Sequence, residues 1–88
     1  MKPRKKRTSS AEAASFKVRA MLMAEIEKDI RSKHLTQKQA GERFGVTRPR
    51  ISDLMRRKIA RFNVESLIIM LTRAGLKVDV RVRRSAAA

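Results

Sequence analysis

The side chains best suited to chemistry in this 88-residue chain are guanidinium and ammonium groups, and they crowd into one stretch, Gly45 to Arg61. Between positions 48 and 61 stand Arg48, Arg50, Arg56, Arg57, Lys58 and Arg61, with Asp53 as the single acid. A guanidinium is a planar fork of donors that matches phosphate oxygens and the O6/N7 edge of guanine. Arg48 and Arg50 stand where each can take a guanine bidentately, at about 1 to 3 kcal/mol of discrimination per good pair. Asp53 can accept from cytosine N4, or instead hold Arg50 or Arg56 in place. The second role ranks at least equal, because phosphate repels a carboxylate. Arg56, Arg57, Lys58 and Arg61 are better placed for backbone phosphates than for bases. For any one of these arginines the plain alternative is a solvated face, but six cations against one acid make that weak for the group.

A short helix is what must hold these groups. In GVTRPRISDLMRR, Thr47 is suited to be an N-cap, its hydroxyl accepting from free backbone N–H groups of the first turn. Val46 before the cap and Ile51 four positions after it can close a hydrophobic staple, and Pro49 falls where a missing N–H costs little. Upstream, Leu35 to Phe44 starts a second helix, with Thr36 as N-cap, Gln39 completing a capping box, Leu35 facing Ala40 as a staple, and Ala40 and Phe44 marking the buried side. Gly45 supplies the left-handed residue that a tight helix-to-helix turn needs. Two short helices joined by a turn of three or four residues, the second strongly basic, form a helix-turn-helix, which lays its second helix in the DNA major groove.

Composition agrees with a polyanionic partner. The 23 Lys and Arg against 8 Asp and Glu give a formal charge of +15, which points to nucleic acid or an anionic membrane surface. No apolar run approaches the ~18 residues that span a bilayer, so the expectation is a cytoplasmic, nucleoid-associated protein with no membrane partner. The chain has no cysteine, and its one histidine, His34, has no second ligand at metal-binding spacing, so a solvated or C-capping role suits it and neither metal nor cofactor is expected. No nucleophile, base and orienting group occur together and no glycine loop cradles phosphate, which argues against an enzyme.

The remaining elements frame the basic helix. Residues 1–11 read as a disordered basic tail, either a DNA-phosphate arm, an import signal or a solvated terminus. Glu12 to about Lys33 has helical periodicity, with Ala14, Val18, Met21, Leu22, Ile26 and Ile30 on one face and Glu25/Lys28, Glu27/Arg31 and Asp29/Lys33 at ion-pair spacing. Phe16 and Met23, seven apart, make a second apolar strip, either a partner contact or the edge of a helix wrapping its own domain. Lys58 to Phe62 reads as a loop. Asn63 can cap a further helix that ends at Ala74 before Gly75, with Phe62 and Leu67 as its staple. Val64, Leu67, Ile68, Met70, Leu71 and Ala74 cover most of its circumference and Ile69 lies opposite, so the helix belongs at the centre and can also touch a second subunit. From Leu76 to Arg83 the period changes to two, Leu76, Val78, Val80 and Val82 alternating with charges, which predicts a half-buried strand. A lone strand needs a partner, either the same strand of a second copy about a two-fold axis or the sheet of another protein. The expected organisation is therefore a helix-turn-helix domain over 12–75, a dimerisation strand over 76–83 and a frayed tail over 84–88.

The run LTQKQAGERFGVTRPRISDLMRRKIARF followed by NVESLIIMLTRAGLKVDVRV resembles the Xre/Cro type of helix-turn-helix regulator, and is most similar to small antitoxins of HigA type encoded beside RelE/ParE-like toxins. The resemblance covers roughly Glu12 to Val82 and rests most specifically on LTQ, GVT, PRISDLMR and the segment after Ala74-Gly75-Leu76. It implies an all-α bundle of about five helices plus one C-terminal β-strand paired across a homodimer, autorepression at a palindromic operator on double-stranded DNA, and inhibition of an mRNA-cleaving toxin. By position it puts Thr36 and Gln37 on phosphate and Thr47, Arg48, Arg50, Ser52 and Asp53 at or in the groove. Leu76, Val78, Val80 and Val82 would form the dimer interface with Ile69, and Phe16 and Met23 would be candidates for the toxin or another partner. Members of the family usually carry glycine where this chain has Arg57, so either the recognition helix is capped differently or Arg57 takes a left-handed conformation. Two further readings remain open, a stand-alone regulator without a toxin and a nonspecific nucleic-acid-binding protein.

Overall fold

A computed structural model describes residues 10–84, so of the tails expected at 1–11 and 84–88 the stretches 1–9 and 85–88 lie outside the described residues, while Ser10 and Ala11 belong to the first helix. Four α-helices follow one another: α1, Ser10–Ser32; α2, Gln37–Phe44; α3, Arg48–Met55; and α4, Val64–Arg73, with a single 3-10 turn at Ile59–Arg61 between the last two. The local signals that start these helices act as written. Thr36 Oγ1 accepts from Gln39 N at 3.1 Å while Gln39 Oε1 accepts from Thr36 N at 2.9 Å, a closed capping box. Asn63 Oδ1 accepts from Ser66 N at 2.7 Å at the start of α4.

Each helix also ends alike. Leu35 N donates to Ile30 O, Val46 N to Gly41 O, Lys58 N to Asp53 O and Leu76 N to Leu71 O, the long bond of the Schellman motif that satisfies a terminal carbonyl. That motif needs one left-handed residue per helix, and here it is His34 (φ 54°), Gly45 (φ 74°), Arg57 (φ 60°) and Gly75 (φ 83°). Glycine takes this backbone without penalty; histidine and arginine do not. Arg57 thus keeps the ending that glycine would ordinarily make. His34 is an exposed helix terminator, which accords with a capping role.

The core gathers Ile26 and Ile30 of α1, Ala40 and Phe44 of α2, Ile51 and Leu54 of α3, Phe62, and Leu67, Met70 and Leu71 of α4. Leu35 and Val46 pack against it from the chain just before α2 and α3, as staples do. α4 is central, buried along Leu67, Met70 and Leu71 with Ile69 facing out.

Three expectations are corrected. First, the bundle has four α-helices and a 3-10 turn rather than five helices, and no strand occurs among the described residues. Alternation with period two specifies an extended chain, but a strand also needs a neighbour to pair its backbone, and no such neighbour exists among the described residues. Leu76 N instead closes α4, Leu76 and Val78 pack against the chain's own core beside Leu22 and Leu71, and Val80 and Val82 are 77% and 89% exposed. Second, the buried stripe of α1 is rotated: Leu22, Ile26 and Ile30 face inward as expected, whereas Ala14, Val18 and Met21 are exposed. Third, Met23 is a core residue, 4% exposed, so of the Phe16/Met23 strip the Met23 end packs on the chain's own domain and only Phe16, 54% exposed, stays open to a partner. The rest of the bundle covers α1 only from about Arg19 onward, and apolar residues there occupy enough of the circumference that periodicity alone does not choose the inward side.

Candidate nucleic-acid interface

Glycines at 41 and 45 let α2 and α3 meet. The turn between them spans residues 45–47, with Gly45 left-handed and Thr47 capping α3 by accepting from Arg50 N at 3.4 Å. Gly41 is the residue that sequence reasoning passed over. It is buried, and a Cβ there would stand 2.7 Å from the carbonyl oxygen of Val46, so the turn lies directly on the bare backbone of α2. The available signal was a glycine inside a helix, which costs about 1 kcal/mol against alanine and therefore asks for a packing reason.

With Ile51 and Leu54 buried, α3 presents the opposite side to solvent. Thr47, Arg48 and Pro49 are exposed, and Ser52 is half-buried beside them. The side chain of Arg48 has no hydrogen bond or ion pair among the described residues, and neither has that of Arg56 at the far end of the helix. Thr36 and Gln37 are exposed at the N-terminus of α2, Thr36 occupied with its capping box.

The other expected contact residues are tied into the protein. Arg50 Nη1 donates to the Arg61 carbonyl at 2.6 Å, and its guanidinium carbon lies 4.1 Å from the centre of the Phe62 ring. Asp53 does hold cations in place, but they are Arg61, at 3.2 Å, and Lys58, at 3.8 Å, rather than Arg50 or Arg56. Lys58 and Arg61 thus gather around Asp53 on the surface beside α3. Arg57 departs furthest from its expected role: its Nε and Nη2 donate to Oε1 and Oε2 of Glu27 at 3.4 and 3.3 Å, clamping the end of α3 to α1. Arg31 Nε donates to the same carboxylate at 2.9 Å. The Arg57 guanidinium first, and Arg31 after it, hold the Glu27 carboxyl below its ordinary value of 4.5, against the upward push of burial.

Two further clamps were not foreseen. Arg43 Nε and Nη2 donate to Asp29 at 2.6 and 3.3 Å, joining α2 to α1. Arg19 Nη1 donates to the carbonyls of Ile59 at 3.3 Å and Phe62 at 3.4 Å, so α1 holds the 3-10 turn. Their partners lie 14 and about 40 positions away, a separation that helical spacing rules do not reach. Among the described residues no group of three or more His, Cys, Asp or Glu is placed to hold a metal, and no helix is long and apolar enough to cross a membrane.

The sequence pattern of a family described as "Helix-turn-helix domain" matches residues 7–83. A solved structure described as "Putative XRE Family Transcriptional Regulator" superposes with a TM-score of 0.77 at 25% identity, over 85% of this chain and 84% of that one. No curated protein matches the sequence.

Proposed function

Given that this chain belongs to the helix-turn-helix domain family, we propose that it is a sequence-specific DNA-binding transcriptional regulator, and in the fuller reading a repressor that binds a palindromic operator as a homodimer in the cytoplasm. One observation carries the reading. The turn at residues 45–47 lies on Gly41 and leaves α3 with its apolar side sunk in the core and its N-terminal Arg48 uncommitted and exposed. A guanidinium with no internal partner, at the outer end of a rigidly held helix, is equipped to meet a base edge. Lys58 and Arg61, gathered around Asp53, supply charge for phosphates beside it.

A second copy is supported by large apolar side chains left in solvent, Ile69, Val80 and Val82. Two copies about a two-fold axis would read half-sites about one DNA turn, ~34–36 Å, apart. The antitoxin role rests on the likeness of LTQ, GVT and PRISDLMR to HigA-type antitoxins; the uncovered N-terminal part of α1 around Phe16 is the surface available for a toxin.

Selection of bound duplexes from a random pool, using the full chain, tests the reading. The expected outcome is an inverted repeat, bound at least about 10³-fold more tightly than unrelated DNA at physiological salt. Equal affinity for all duplexes would instead identify a nonspecific nucleic-acid-binding protein. Light scattering on the free and DNA-bound chain reports the dimer, and copurification of the native operon products reports a toxin.

A further inference from the structure

Arg50 is the second arginine of the basic helix, and the chain itself already engages it. Its guanidinium stacks on Phe62, whose side chain is buried, and donates to the carbonyl of Arg61. Stacking at 4.1 Å is well inside the ~6 Å range of cation–π attraction, and the 2.6 Å donor distance is short for a charge-assisted bond. The Arg61 side chain turns back to Asp53 on α3, so residues 50, 53 and 61 close a ring that runs from α3 to the 3-10 turn and back. Arg19 holds the same turn from the other side through the carbonyls of Ile59 and Phe62. Together these bonds fix where the 3-10 turn sits relative to α3.

From this ring we infer that Arg50 is a positioning residue rather than a base reader: it sets the place from which Arg61 meets a DNA phosphate, and leaves base discrimination at the start of α3 to Arg48. The inference rests on the DNA-binding reading and deepens it. Reaching a base would require Arg50 to leave both the Phe62 face and the Arg61 carbonyl, and the vacated carbonyl would need another donor. Arg48 gives up nothing comparable, having no internal partner among the described residues.

The experiment measures affinity against salt concentration, together with the base-preference profile from random-pool selection, for the full chain and for Arg48→Ala, Arg50→Ala, Arg61→Ala and the Arg50→Ala/Arg61→Ala pair. Removing one cation from a phosphate lowers the magnitude of the log–log salt slope by about 0.9. Each subunit of the dimer supplies one Arg61, so Arg61→Ala is expected to lower the slope by about twice that amount, Arg50→Ala to lower it equally, and the double variant to go no further, because Arg50 acts through Arg61. Arg50→Ala keeps the wild-type base profile, whereas Arg48→Ala loses preference at one or two positions. Arg50→Met retains the packing on Phe62 without the donor, and with an unchanged melting curve it is expected to repeat the Arg50→Ala slope, which separates position from folding. A base profile altered by Arg50→Ala, or slope losses that add in the double variant, would overturn the inference. A wild-type chain with no base preference at all would instead overturn the DNA-recognition reading beneath it.

Discussion

Arg57 offers a stability test in which two familiar rules give opposite signs. It lies just past α3 at φ 60°, where an L side chain costs about 1 to 2 kcal/mol relative to glycine. Against that cost stands its ion pair with Glu27, whose side chain is 11% exposed while that of Arg57 is 74% exposed. A pair open to solvent at one end contributes at most about 1 kcal/mol, and Glu27 keeps Arg31 when Arg57 is removed, so no buried charge is stranded. Arg57→Ala loses the pair and keeps the strained backbone, giving a loss of about 0.5 to 1 kcal/mol. Arg57→Gly loses the same pair but relieves the backbone, less about 0.5 to 1 kcal/mol for the greater freedom of glycine in the unfolded chain, which leaves it close to the wild type. Glycine should therefore exceed alanine here by about 1 kcal/mol, or about 4–8 °C in Tm for a domain of this size, whereas inside a helix alanine exceeds glycine by about the same amount. His34→Gly, at the same kind of site and with no ion pair to lose, should stabilise outright by up to about 1 kcal/mol. Urea unfolding at pH 7 followed by far-ultraviolet circular dichroism measures all three. An Arg57→Ala variant as stable as Arg57→Gly would refute the assignment of Arg57 to a left-handed helix ending.

Gly41→Ala should destabilise by about 1 to 3 kcal/mol despite the better helix propensity of alanine, because its Cβ would meet the Val46 carbonyl at 2.7 Å and neither backbone can yield without moving the turn; urea unfolding and operator affinity should fall together. Glu27 makes the chain acid-sensitive in a defined direction. Its carboxyl in the folded protein lies below the ordinary 4.5, so its stabilising contribution is complete above about that pH and is lost as pH falls through the lower folded value. Compared across pH 7 to 3, the wild type should lose stability toward acid faster than Glu27→Gln; parallel curves would show that the Arg57 and Arg31 bonds to Glu27 do not form in solution.

Local chemistry determined much of this protein from sequence alone. Thr36 with Gln39, Thr47, and Asn63 start helices through bonds spanning three residues, and Gly45 and Gly75 end them, so boundaries and the helix-turn-helix itself are written in neighbouring side chains. The concentration of positive charge in 48 to 61 was equally legible, since charge needs no fold to be counted. Tertiary structure alone decided which cations are free. Arg48 and Arg50 are two positions apart and chemically identical, yet Phe62 and the Arg61 carbonyl occupy one and none of the described residues occupies the other. Arg57 is turned to Glu27, 30 positions away, through a contact that no spacing rule anticipates. The C-terminal alternation shows the same limit from the other side. Period two sets an extended backbone, but a strand is a relation between two segments, and the described residues supply one, folded back through Leu76 and Val78 onto the chain's own helices. Sequence specifies what each residue offers locally, and packing specifies which offers are taken, because burial and long-range pairing depend on what the rest of the chain brings within reach.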